Sequence, residues 1–262
     1  MAHGKVSQRR SEASRAQEEQ ERELHREIRP QLALASVSAL MVGGAYLLLP
    51  DNLTVGPNWL VLAVEAAVLL PLTAAAYFRP LSSTLARRIR TGLLVVLTLA
   101  LLTSIALLVG ALPGFGPERG RQLLRPAALL WLSNVLIFAD WYWELDGGGP
   151  AQRHRRGHQA GDFLFPQHTM QAQSQPSSSA SFSPSVLPHH PEAGNRAVES
   201  GGRRRWMPGF VDYVFLAFCF ATALSPADTA PLTWRAKLLM MAEALLSLVI
   251  AALLIARSIN IL

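Results

Sequence analysis

Six stretches of this chain are apolar for long enough to cross a bilayer, and charged or turn-forming residues separate them. The first, 31–49, carries no charge over nineteen residues. At 1.5 Å per residue a helix of that length spans about 28 Å, close to a hydrocarbon core of roughly 30 Å. The others cover 59–78, 91–112, 126–143, 206–224 and 234–256. Pro50, Asp51, Asn52 and Gly56 mark the first turn, and Leu-Pro-Gly-Phe-Gly-Pro at 112–117 marks the third. Lipid offers no partner to an unpaired backbone amide, and the alternation of barrel strands is absent. The stretches therefore predict helices, and the fold class is all-α: a polytopic transmembrane bundle of about six spans.

The segments between the spans complete the organisation. Residues 1–30 form a charged N-terminal segment in which Glu18 with Arg22, and Glu23 with Arg26, have the spacing of helical ion pairs; Pro30 ends it. So polar a start is unlike a signal peptide, and the first span is expected to act as the insertion signal. Four spans then occupy 31–144, with a basic loop at 79–90. Residues 145–205 turn abruptly to Gly, Ser, Pro, Gln, Arg and His, which predicts a disordered cytoplasmic loop. The last two spans and a short C-terminus make up 206–262.

Composition supports this class: half the residues are apolar and 16% are charged. A net charge of +6 suggests nucleic acid until the basic residues are placed; they flank the apolar blocks, where lipid headgroups meet them. Only Lys5 and Lys237 of the 24 basic residues are lysine, a bias that points to a GC-rich bacterial genome. The one cysteine, Cys219, rules out an internal disulfide and a cysteine-based metal site. With six crossings and a cytoplasmic N-terminus, nineteen basic residues fall inside and five outside. That asymmetry predicts an N-in/C-in protein of the inner (plasma) membrane, with Trp59 and Trp234 at the outer interface and Trp141, Trp143 and Trp206 at the inner one.

Residues 210–262 contain Phe-Val-Asp-Tyr-Val-Phe-Leu-Ala-Phe, Ala-Thr-Ala-Leu-Ser-Pro-Ala-Asp-Thr and Arg-Ala-Lys-Leu-Leu before a Leu/Ala-rich helix. This stretch resembles the last two segments of uncharacterised bacterial multi-pass membrane proteins of actinobacterial type. Over 210–258 it is also similar in layout to the pore module of potassium channels, a short helix leading to a filter and then to an inner helix. Thr222 and Asp228 match the outer letters of the filter motif. Leu224 and Pro226 stand near the places of its glycines, which a row of pore-lining carbonyls needs.

Charged groups inside a span must face protein or water. Glu65 in the second span and Glu243 in the sixth lie about 9 to 13 Å below the outer ends of their helices, and Asn134 in the fourth lies at similar depth. If these spans are neighbours, the three form one polar site for a proton or a monovalent cation. The competing reading is a protonated acid that hydrogen-bonds the next helix. Asp140 and Asp212 lie near the cytoplasmic face, where they are candidates for a pathway entrance or plain interfacial residues. His154, His158, His168, His189 and His190 share one loop without acidic or cysteine partners, so no metal site is expected. No phosphate-binding loop and no nucleophile with a base occurs, so no enzyme activity, catalytic residue or cofactor is expected. The expected partners are the lipid bilayer, a monovalent cation or proton and further copies of the chain, and no nucleic acid. The alternative function is a non-transporting scaffold that binds a cytoplasmic partner or anionic lipid through its basic tail and loop.

Overall fold

A computed structural model describes residues 29–78, 83–111, 120–155, 161–173, 206–223 and 228–259. It is almost wholly helical, as the apolar runs predict. The helices are α1 (Arg29–Leu47), α2 (Leu60–Phe78), α3 (Ser83–Ala111), α4 (Gly120–Leu145), α5 (Pro150–Arg155), α6 (Pro166–Gln173), α7 (Phe210–Thr222) and α8 (Trp234–Ile259). Two strands of two residues each, β1 (Phe163–Leu164) and β2 (Ala230–Pro231), pair antiparallel. Among the described residues, segments in α1, α3, α4 and α8 are long and apolar enough to cross a membrane. The 19 residues of α2 reach about 28 Å.

The central helix is α4, which packs against α3, α7 and α8. On α8 the buried positions Ala236, Met240, Glu243, Ser247 and Ile250 repeat every three or four residues and face it. Beyond the first turn with Arg235 and Lys237, the opposite face of α8, with Leu238, Met241, Leu245 and Leu248, is exposed and apolar.

The direction of each helix follows from its contacts with α4. Near the C-terminal end of α4, Trp143 packs on Phe210 at the start of α7, and Asp146 accepts a hydrogen bond from Tyr213. One α7 length away, Trp131 donates to the Ala221 carbonyl. The chain then returns, because β2 pairs with β1, whose Phe163 amide donates to Asp146. Helix α8 starts there too: Thr233 donates to Asp162, and Glu243 meets Tyr142. Helices α7 and α8 therefore begin at the same end of the bundle, here called the base. Gln31 of α1 accepts from the Phe210 amide, and Arg90 of α3 pairs with Glu144, so the starts of α1 and α3 also lie at the base.

The apolar run 206–224, expected as a full span, holds a shorter helix. Residues 206–209 are extended, α7 has 13 residues and covers about 20 Å, and Ala223 closes it in the left-handed conformation at φ 53°. Helix α7 starts at the base, and β2 after it lies at the base again.

Two boundaries move as well. The basic loop expected over 79–90 is helical from Ser83, so Arg87, Arg88 and Arg90 sit on the first turns of α3. The disordered loop expected over 145–205 is structured over 146–155 and 161–173, and the physical reason is Asp146. Its buried carboxylate accepts from the Asp162 amide at 2.6 Å, the Phe163 amide at 3.2 Å and the Tyr213 hydroxyl, and it pairs with Arg153 at 3.8 Å. Gly147, Gly148 and Gly149, all at positive φ, bend the chain back so that Arg153 returns beneath it, a path only glycine follows cheaply. Residues 1–28 and 174–205, with the remaining expectations for tail and loop, lie outside the described residues.

Candidate functional site

Three groups of buried polar residues stand out, and they divide the sequence candidates in a way that spacing along the chain did not reveal. The first lies among α1, α2, α3 and α4. At the base, Glu144 faces Arg90 at 3.6 Å and Arg87 at 3.9 Å, and the Arg90 guanidinium lies over the Trp143 ring. One turn deeper on α4 is Asp140, which is 5% exposed. Both acids line a cavity of about 30 Å³ whose apolar wall includes Leu32, Ala35, Ala39 and Leu69. Ser38 of α1 lies beside Asp140, but neither its hydroxyl nor Asp140 Oδ2 makes a hydrogen bond of normal geometry; Glu144, Glu65 and Arg90 lie within electrostatic range.

Beyond Asp140, along α1, comes Glu65. It is fully buried, and neither of its oxygens makes a hydrogen bond of normal geometry. The backbone of Gly43 is its polar neighbour. The helices touch so closely here that a Cβ on Gly43 would overlap Glu65 Oε2 and stand 2.8 Å from the Leu62 backbone. Next on α1 is Tyr46, whose hydroxyl lies near Ser104 of α3 and near Glu65 without a hydrogen bond of normal geometry. Ser38, Gly43 and Tyr46 are thus rungs on one side of α1, spread over about 12 Å. They connect Asp140 to Glu65 and to the far half of the bundle.

The second group joins α4 to α8. Asn134 donates to the Ser247 hydroxyl at 2.7 Å and to the Glu243 carbonyl at 3.4 Å, and Tyr142 donates to the Glu243 carboxylate. All four residues are buried. Asn134 and Glu243 therefore come together as the sequence suggested, but Glu65 belongs with Asp140 in the first group. The expected trio is two sites.

The third group is the base lock. Asp146 gathers its partners as described, Arg153 also donates to the Trp143 carbonyl at 3.1 Å, and its guanidinium lies over the Tyr213 ring at 5.1 Å. Asp162 accepts from the Gly147 amide at 3.1 Å and from Thr233 at 2.7 Å, linking the turn after α4 to the start of α8. Sequence reading missed this group; the three consecutive glycines after Asp146 were the available signal. Asp212, a candidate for the entrance, instead accepts from the Gly209 amide at 2.7 Å and caps the start of α7. His168 packs edge-on against Trp206, and among the described residues no three His, Cys, Asp or Glu side chains gather as metal ligands.

The first group therefore sets a cavity lined by Asp140, Glu144 and Arg90 at the base and, deeper along α1, a buried carboxyl against a glycine. The group at Glu243 ties α4 to α8 through Tyr142 and Asn134, although Glu243 Oε1 and Asn134 Oδ1 make no hydrogen bond. Comparison with protein-family models, with curated proteins and with solved structures finds no match.

Proposed function

We propose that this is a bacterial inner-membrane protein that moves a proton or a monovalent cation along the path from Glu144 and Asp140 to Glu65. The observation that carries this reading is the alignment of two buried, incompletely paired carboxyl groups with a cavity at one end of the bundle. Acids are rare inside membrane spans and mark ion or proton routes when they face the bundle interior. Arg87 and Arg90 pair with Glu144 at the mouth, while Asp140 and Glu65 have no cation at ion-pair distance among the described residues.

The positive-inside rule supports a cytoplasmic base. Segments that begin or end there carry twenty of the basic residues: seven in the tail, four in 79–90, seven in 145–205, and Arg235 with Lys237. The opposite end carries Arg119, Arg121, Arg125 and Arg257. The bias exceeds the one expected for six crossings, and it makes the protein N-in and C-out with α7 re-entering from the cytoplasm. Trp234 then joins Trp141, Trp143 and Trp206 in one aromatic belt at the base.

Flux into proteoliposomes tests the proposal. Asp140→Asn and Glu65→Gln are each expected to lower the flux about tenfold or more. Glu243→Gln, in the second group, leaves it unchanged. Equal loss in all three variants, or none in the first two, contradicts the assignment. Wild-type protein that carries no flux supports the scaffold reading, for which the exposed Arg88, Arg155, Arg235 and Lys237 at the base form a rim suited to anionic headgroups.

A further inference from the structure

On the proposed path α1 and α2 press closest at Gly43, which faces the Glu65 carboxyl and the Leu62 backbone. We infer that the species moved is the proton, and that Gly43 sets this selectivity by pressing α1 against the Glu65 carboxyl. The inference rests on the pathway proposed above and names its cargo.

The cavity beside Asp140 has about 30 Å³ of room, enough for one or two water molecules. Its wall ends at Ala39 and Leu69, one turn short of Glu65. A metal cation moving on from it must exchange its water shell for protein oxygens, as ions do in a selectivity filter. Glu65 is fully buried and does not line that cavity; the Gly43 backbone lies beside its carboxyl, Leu62 packs against the same glycine, and the Tyr46 hydroxyl lies further along α1. A cation that leaves the cavity for Glu65 leaves the space in which its water shell fits. A proton needs no such shell: it leaves the Asp140 carboxyl, passes through a hydroxyl or water hydrogen bond and binds the Glu65 carboxylate, and Asp140 is left ionised to take the next.

The role of Gly43 follows from space alone, since its backbone is helical and needs no glycine for conformation. Any side chain there collides with Glu65 Oε2 and with Leu62, so the carboxyl must turn away from the line of Ser38 and Tyr46.

Proteoliposomes with a trapped pH-sensitive dye, under a potassium-diffusion potential, read proton uptake; parallel vesicles read uptake of radioactive sodium or rubidium. The expected result is proton uptake that Glu65→Gln abolishes, with sodium and rubidium uptake at the level of protein-free vesicles. Gly43→Ala is expected to slow proton uptake about tenfold. Glu65→Asp withdraws the carboxyl by one methylene, so Gly43→Ala combined with Glu65→Asp is expected to conduct as Glu65→Asp alone does, which separates a blocked path from a misfolded protein. Sodium or rubidium uptake as fast as proton uptake overturns the inference while the pathway survives. Absence of any flux removes both. Wild-type proton flux in Gly43→Ala removes the role of the glycine.

Discussion

Replacing Asp146 by alanine is expected to destabilise the protein by about 3–5 kcal/mol, the cost of breaking a buried ion pair from one side. The side chain is fully buried and holds four partners: the Arg153 guanidinium, the Tyr213 hydroxyl and the amides of Asp162 and Phe163. Removing it leaves Arg153, 2% exposed, beneath the end of α4 with the Trp143 and Asp146 carbonyls and the face of the Tyr213 ring. It also frees the turn that carries β1, on which β2 and the start of α8 depend. Unfolding in mixed detergent micelles measures the change, and the steepest losses of near-ultraviolet signal should come from Trp143 and Trp206, beside α7. Asp146→Asn should recover part of the loss, because an amide oxygen still accepts from the two backbone donors. A stability within about 0.5 kcal/mol of the parent is what a surface residue gives, and contradicts this role.

Tyr142→Phe is expected to cost about 1–3 kcal/mol, because the hydroxyl it deletes is the hydrogen-bond partner of a buried carboxyl. Glu243 has no exposure, and its other oxygen makes no hydrogen bond. Combining Tyr142→Phe with Glu243→Leu removes donor and acceptor together, and an apolar pair of similar shape should return stability to within about 1 kcal/mol of the parent. The double-mutant cycle is therefore strongly non-additive. Additive losses mean that the two side chains do not depend on one another, and that α4 and α8 are held by apolar packing alone.

Much of the candidate site was legible because an acid in an apolar run has few places to go. Glu65, Asn134 and Glu243 are all fully buried, and Asp140 nearly so. Their partners were not legible, because partnership depends on which helices touch, and hydropathy is silent on that. Equal depth suggested that Glu65 joins Glu243; the packing of α1 against α2 at Gly43 put it with Asp140. The apolar run at 206–224 holds a shorter helix than its length suggests, for a different reason. Its length fits a bilayer, but Pro208 and Gly209 delay the helix, Ala223 ends it, and its partners Asp146 and Trp143 draw its start to the base. The ordered part of 145–205 was hidden by composition: Gly, Gln and Arg read as solvated until Asp146 supplies a buried acceptor to fold around. Arg235 and Lys237, assigned outside under six crossings, move to the base with α8 and strengthen the charge bias they had weakened.

The most direct test of the account is the side of the membrane on which Asp228 lies. In a Cys219→Ala background, single cysteines replace Arg88 and Asp228, both exposed, and an epitope follows Leu262. Membrane-impermeant maleimide is then applied to intact spheroplasts and to inverted vesicles. The account predicts that Asp228→Cys reacts from the same side as Arg88→Cys, the cytoplasmic one, and that the epitope is reached only from the other. Labelling of Asp228→Cys from the side opposite to Arg88→Cys, as six full crossings demand, contradicts it.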